Sequence, residues 1–295
     1  MIEMKVQIVG SGVVGQATGR GLCVKGHDVT FVDINADVLR PLHESGYKVS
    51  MSIVKDVDAT LISVPTPTAR GRLVTDYIEA ASKSVGRAIS GGDYQVVVMR
   101  STVPPGTVED VVIPILEDAS GMTVGRDFGV CMNPEFLIAK TADEDFLNAK
   151  SFIVGEYDAR SGGVMDEMYR PWDVPVIHMP IKAAELLKYT SNVFGALKIT
   201  YFNIIGKVAE GLGLEARTLV ETVAEHSHVL QNPKYGIYPG QPYGGMCFPK
   251  DTLAFIEYLR SNGTAKYSTL FEAMHQINHS IAKDTNVTIP EYAEV

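Results

Sequence analysis

Cysteine is scarce. Cys23, Cys131 and Cys247 are the only three in 295 residues, too few and too widely spaced for a disulfide framework or a metal-ligand pattern. That usage fits a reducing compartment, and a cytoplasmic location is expected. Basic charge is also short: 26 Lys and Arg stand against 35 Asp and Glu, a formal net charge of −9. This argues against a nucleic-acid-binding surface. No apolar run approaches the roughly 20 residues that cross a bilayer, so no membrane partner is expected. No secretory leader is visible either, because the first ten residues run straight into a strand. Internal repeats and low-complexity segments are absent. With 45% hydrophobic and 21% charged residues, the composition is that of an ordinary soluble globular protein long enough for two domains.

What is present begins with a strand, a glycine turn and a helix. Lys5 to Val9 is a β-branched run, Gly10-Ser11-Gly12-Val13-Val14-Gly15 follows, and Gln16 to Lys25 reads as helical. Strand, GxGxxG and helix together form the dinucleotide-binding fingerprint. The glycines permit a tight turn, close approach of a pyrophosphate to the helix N-terminus, and close helix packing. A second strand, His27 to Val32, delivers Asp33 near the spacing at which an acid holds a ribose 2′-hydroxyl. An acid there favours NAD over NADP, whose 2′-phosphate would meet like charge.

The alternation continues. Ala59–Val64, Tyr94–Met99, Phe128–Met132, Ser151–Gly155 and Pro175–Met179 read as strands, with helices over Asp76–Ile89, from Thr107 to about Ala119, and over Gly162–Tyr169. Such alternation predicts an α/β fold with a Rossmann-type, doubly wound parallel sheet over residues 1–179. Ligands in these sheets bind beyond the carboxyl ends of the strands. Pro65, Thr66, Ser101, Thr102 and Glu135 all stand at strand ends and are expected on the cofactor side. Turn or cap roles are an equal reading for the hydroxyls, and Thr107 is placed to cap the helix after it. His178 reads as a structural histidine, and Cys23 and Cys131 as core.

After Pro180 the period becomes helical throughout. Ile181 to about Gly211 is long enough to join two domains and opens an all-helical domain over 180–295. Lys188 and Asn192 share a face one turn apart and can address one oxygen, though a solvated surface pair is the common alternative. Further helices are expected over Ala216–His226, Phe248–Leu259 and Lys266–Ile281. A loop over Ser227–Tyr243 and a poorly ordered tail over Asn286–Val295 complete the segment. The stretch Tyr243-Gly244-Gly245-Met246-Cys247-Phe248-Pro249-Lys250-Asp251 places Cys247 just ahead of a helix N-terminus, where N–H groups and the helix dipole favour an anion. With Lys250 and Asp251 beside it, Cys247 reads as an activated nucleophile. A buried structural cysteine before an ordinary helix is the alternative.

The chain resembles the UDP-glucose/GDP-mannose dehydrogenase family of nucleotide-sugar dehydrogenases. The stretches that carry the resemblance are Gly10–Gly15, Val64–Pro67, Ser101–Thr107, Asn133-Pro134-Glu135-Phe136-Leu137, Glu185–Asn192 and Gly244–Asp251, in the family's order. The resemblance implies an NAD-dependent, four-electron oxidation of a nucleotide sugar, with UDP-glucose the leading substrate, through a thiohemiacetal and a thioester on Cys247. It implies that Lys188 and Asn192 stabilise oxyanions, that Asp251 acts as base, and that Thr102 and Glu135 position water. It also implies that Phe136, Leu137, Tyr243, Gly244, Phe248 and Lys250 line the sugar site. The family continues with a further nucleotide-binding domain, often carries a second glutamate where Ala139 stands, a small residue where Met246 stands, and an arginine unmatched within Gln231–Tyr235. A non-catalytic NAD-binding subunit and a 3-hydroxyacid-type dehydrogenase are the alternative functions. The apolar length of the 181–211 helix predicts a homodimer formed through it.

Overall fold

The computed structural model describes residues 3–70, 72–89, 92–245, 247–261 and 263–289. The chain forms two compact units, Met1–Val193 and Phe194–Val295, and the division falls inside one long helix.

The first unit follows the alternating pattern. Its elements are β1 (Lys5–Val9), α1 (Val13–Val24), β2 (Asp28–Val32), α2 (Ala36–Glu44), β3 (Lys48–Ser50), β4 (Ala59–Ile62), the short pair β5 (Thr68–Ala69) and β6 (Arg72–Leu73), α3 (Asp76–Ala88), β7 (Val96–Met99), α4 (Ile113–Ser120), β8 (Gly129–Met132), α5 (Ala142–Leu147), β9 (Phe152–Glu156), α6 (Ala159–Tyr169) and β10 (Val176–Pro180). Eight strands make one sheet in the order β10-β9-β8-β7-β4-β1-β2-β3. The central strands β4, β7 and β8 are buried along their whole length, because helices cover both faces. Alternation then sorts side chains to two cores. Val96, Val98 and Cys131 face Leu22, Phe146 and Tyr169, whereas Val97, Met99 and Val130 face Ile78, Val85 and Leu116. Each such aliphatic side chain contributes about 1.5–3 kcal/mol on full burial.

The sheet is not wholly parallel. β8 and β9 pair antiparallel, with Cys131 opposite Glu156, while β9 and β10 are parallel to each other. A parallel return needs a crossover of a dozen or more residues, usually a helix. Between β8 and β9 the helix is only Ala142–Leu147, about 9 Å long at 1.5 Å per residue. Connection length does not decide the direction, for 133–151 and 157–175 are equally long and only the second joins parallel strands; β9 starts at the end where β8 finished.

Other expectations are corrected locally. Cys23 is half-buried rather than core. Thr107 does not cap: its hydroxyl donates to Pro104 O at 2.7 Å, and a π-helical turn, Val108–Val112, precedes α4. His178 does sit in a structural role, with Nδ1 2.7 Å from Glu156 Oε2 and Nε2 2.9 Å from Asp166 Oδ1.

The long helix α7 (Ile181–Gly211) runs from the first unit into the second, which among the described residues is helical: α8 (Ala216–His226), α9 (His228–Gln231), α10 (Phe248–Ser261) and α11 (Ser268–Asp284). The expected 227–243 loop therefore holds one helical turn. Of the expected tail, Ile289 is buried and 290–295 lie outside the described residues. The second unit has a small core of Ile204, Ile256, Leu259 and Phe271, and leaves Phe194 and Ile199 of α7 63% and 65% exposed. Among the described residues no helix is long and apolar enough to cross a membrane.

Candidate functional site

The glycines of the β1–α1 turn divide their work. Gly10 has φ +92°, and a Cβ there would stand 2.5 Å from Ser63 O. Gly15 packs: its Cβ would meet Gly10 O at 2.1 Å. Gly12, at the N-cap of α1, has nothing within 4 Å of where a Cβ would sit, so its backbone faces open space. That space is a cavity of about 1040 Å³ lined by Gly10, Gly12, Val13, Val14, Asp33, Pro65, Thr66, Ser101, Thr102 and Glu135. Gly15 does not line it. Asp33 is held by the turn, its Oδ2 accepting from Ser11 N–H at 2.8 Å and its Oδ1 from Asn35 N–H at 2.9 Å. A helix N-terminus opening on the cavity without a side chain, together with an oriented acid at the end of β2, fits a dinucleotide's pyrophosphate and ribose. Sequence reasoning missed Ile34, Met51, Ile53 and Tyr77, which add apolar wall. Residues 51–53 carry no periodic signal and are placed only by the pairing of β2 with β3.

Beyond the ends of β7 and β8 a second group converges. Lys188 of α7 lies with Nζ 2.9 Å from Glu135 Oε1, the two side chains 6% and 15% exposed. Its Nζ also donates to the Glu135 carbonyl and stands 5.3 Å over the Phe136 ring. The other carboxylate oxygen of Glu135 accepts from Leu137 N–H at 2.7 Å. Asn192 and Phe136 are exposed, while Thr102 is half-buried. Ser101 has the structural role: its hydroxyl donates to Val64 O at 2.7 Å and ties the β7 end to the β4 end. Behind them Arg100, buried and unremarked in the sequence, donates to Thr18 Oγ1 at 2.8 Å and to the Asn133 side chain. Asn133 Oδ1 also accepts from Tyr169 at 2.6 Å, so the strand end that delivers Glu135 is braced from two sides.

In the second unit, Cys247 is exposed and immediately precedes α10. The Asp251 N–H donates to Cys247 O at 2.8 Å, which makes Cys247 the residue from which the helix starts. Gly245 takes φ +70°, a left-handed turn suited to glycine. Lys250 and Asp251 form an adjacent ion pair. Asn278 of α11, buried, clamps Tyr243 through both backbone groups: Tyr243 N–H donates to Oδ1 at 2.8 Å, and Nδ2 donates to Tyr243 O at 2.9 Å. Tyr243 in turn meets Phe248 edge-on at 6.4 Å. Met246 lies outside the described residues. Burial raises the Cys23 thiol pKa and pushes that of Cys131 up to about 12.

Residues 38–173 match the model of the UDP-glucose/GDP-mannose dehydrogenase family, NAD binding domain, and residues 182–280 match that family's central domain. A GDP-mannose 6-dehydrogenase of Pseudomonas aeruginosa is 34% identical, the alignment covering 95% of this chain and 70% of that one. A UDP-glucose 6-dehydrogenase, AglM, of Haloferax volcanii is 32% identical, with 88% and 66% covered. The solved ternary complex of GDP-mannose dehydrogenase from Pseudomonas aeruginosa superposes with a TM-score of 0.81 at 32% identity, over 96% of this chain and 68% of that one. The chain thus spans about two thirds of the length of the relatives it matches.

Proposed function

The chain belongs to the UDP-glucose/GDP-mannose dehydrogenase family, and from that premise we propose that it oxidises the primary alcohol of a nucleotide sugar to a carboxylate in two steps. The observation that carries this reading is the Lys188–Glu135 pair at the edge of the NAD cavity, where a cation and a carboxylate are held together at strand ends.

NAD, when bound, is the oxidant for both steps. The chain's own residues do the rest. The β1–α1 turn holds the pyrophosphate and Asp33 the ribose. Lys188 neutralises negative charge developing on the reacting oxygen, with Asn192 as a second donor. Cys247 forms a carbon–sulfur bond to the aldehyde, and the same sulfur carries the acyl group as a thioester. Water positioned by Thr102 and Glu135, with Asp251 as base, releases the acid. Phe136, Leu137, Tyr243, Gly244, Phe248 and Lys250 border the sugar. The motif pattern nominates UDP-glucose, and the 34%-identical relative nominates GDP-mannose as well. The free thiols suit a reducing cytoplasm, and the exposed apolar residues of α7 suit a homodimer.

The test is direct. Incubated with NAD and each of UDP-glucose and GDP-mannose, the protein is expected to yield two NADH per sugar with one of them, and Cys247→Ala to abolish that stoichiometry. NAD binding by calorimetry without turnover on any nucleotide sugar refutes the enzymatic reading. Light scattering checks the dimer; a clean monomer refutes it.

A further inference from the structure

Glu185 is fully buried in the first turns of α7, three residues before Lys188. Among the described residues its carboxylate does not pair with a cation at hydrogen-bond distance. Instead Oε1 accepts from Val108 N–H at 2.8 Å and Oε2 from Gly106 N–H at 2.5 Å. These donors stand where the Arg100–Thr107 loop enters the helical segment over 108–120. Gly106, at φ +96°, gives the backbone the turn that brings both N–H groups to one acceptor. The Thr107 hydroxyl makes no cap bond, and the Val108 N–H at the helix start is satisfied by an acid from another element.

The surrounding contacts leave α7 little freedom here. Lys182, one turn earlier, pairs with Glu109 at 2.7 Å. Ile181 and Ala184 are buried in the core that holds Val103 and Val108. On the opposite side, a Cβ on Gly155 of β9 would come within 2.7 Å of Ala184 Cβ. The helix is thus pressed between β9 and the loop, and Glu185 supplies its fixed polar point. A slide of one residue along the axis, 1.5 Å, would break both bonds.

We propose that Glu185 is a positioning residue that ties the loop bearing Thr102 to the helix bearing Lys188, so that the Lys188 ammonium is delivered to Glu135. This rests on the functional reading above. Lysine has four rotatable side-chain bonds, and only a fixed Cα keeps Nζ in one place. Misplacement by about 1 Å can cost on the order of 10²-fold in rate.

The test uses the full chain. Glu185→Gln keeps the volume but turns an amide N–H₂ toward one of the two N–H donors. It is expected to lower kcat about 30-fold while the sugar KM and the NAD Kd stay within about threefold. In a Lys188→Ala background the same substitution is expected to add less than about threefold, because no ammonium remains to misplace. Hydrogen exchange should rise at 101–108 and also at 133–137. A purely structural cap would instead loosen 101–112 alone and contribute its full factor in both backgrounds; that additivity, or a kcat within twofold of wild type, overturns the proposal. If Glu185→Gln does not fold, Glu185→Asp, which keeps the charge but is one methylene short, replaces it with the same criteria. If the wild type turns over no nucleotide sugar, the functional reading has failed, and unchanged exchange at 133–137 in the variant separately overturns the positioning role.

Discussion

Substituting Gly15 by alanine sets two effects of opposite sign against each other within α1. In a helix interior alanine is favoured over glycine by about 1 kcal/mol. Against this, the new Cβ would lie 2.1 Å from Gly10 O and 3.1 Å from Ile8 Cγ2. The first contact is to backbone that cannot yield cheaply, since Gly10 N–H is itself bound to Val32 O at 2.8 Å and Gly10 abuts Ser63. Overpacking of this kind costs about 1–3 kcal/mol. A 2.1 Å contact to fixed backbone belongs at the upper end of that range, so clash outweighs propensity and a net loss of about 2 kcal/mol is expected, a fall of roughly 4–8 °C in the Tm of the first unit at about 2–4 °C per kcal/mol. Gly12→Ala is the control. Its Cβ meets nothing within 4 Å and the backbone φ is −72°, so stability should move by less than about 1 kcal/mol. That methyl, however, stands in the cavity, and NAD affinity should fall about 10-fold, or 1.4 kcal/mol. Calorimetric unfolding and NAD titration of both variants separate the two roles. Gly15→Ala at or above wild-type stability, or Gly12→Ala with unchanged NAD affinity, would refute the reasoning.

Three other outcomes are expected. Limited alkylation followed by peptide mass analysis should label exposed Cys247 first and Cys131 last, its thiol being held up to about 12 by burial; early labelling of Cys131 contradicts the placement. Lys188→Ala should lower turnover by about 10²–10³-fold with NAD affinity within about twofold; a loss confined to NAD binding would place Lys188 on the cofactor instead. The pH dependence of stability should carry histidine contributions of opposite sign, His178 on one side and His27, with His275, on the other. At His178 burial acts to lower the pKa, but hydrogen bonds to Asp166 and Glu156 outweigh it and raise it above 6.5, so its contribution is full below 6.5 and lost as pH rises through the raised value. At His27 burial dominates and lowers the pKa against the Met168 hydrogen bond, so stability is lost as pH falls from 6.5 through the lowered value. Urea midpoints across pH should therefore show His178→Gln removing the alkaline loss and His27→Gln weakening the acid loss; parallel curves for wild type and both variants refute the assignment.

What local pattern can dictate was legible in the chain alone. The GxGxxG turn between a β-branched run and a helix, Asp33 at the end of the next strand, the alternation of elements through Met179, and Cys247 ahead of α10 are all set by side-chain period and by glycine and proline geometry over a dozen residues or fewer. Tertiary structure decided whatever joins distant segments. Lys188 finds Glu135 across 53 positions and Gly106 finds Glu185 across 79, contacts no local period encodes. The cap of the helical segment after Thr107 was assigned to the nearest hydroxyl, as sequence proximity suggests, yet that hydroxyl makes no cap bond, and packing brings a buried carboxylate from α7 to the Gly106 and Val108 N–H groups instead. The reversal of β9 is likewise a matter of how the strands pair in three dimensions and not of strand propensity.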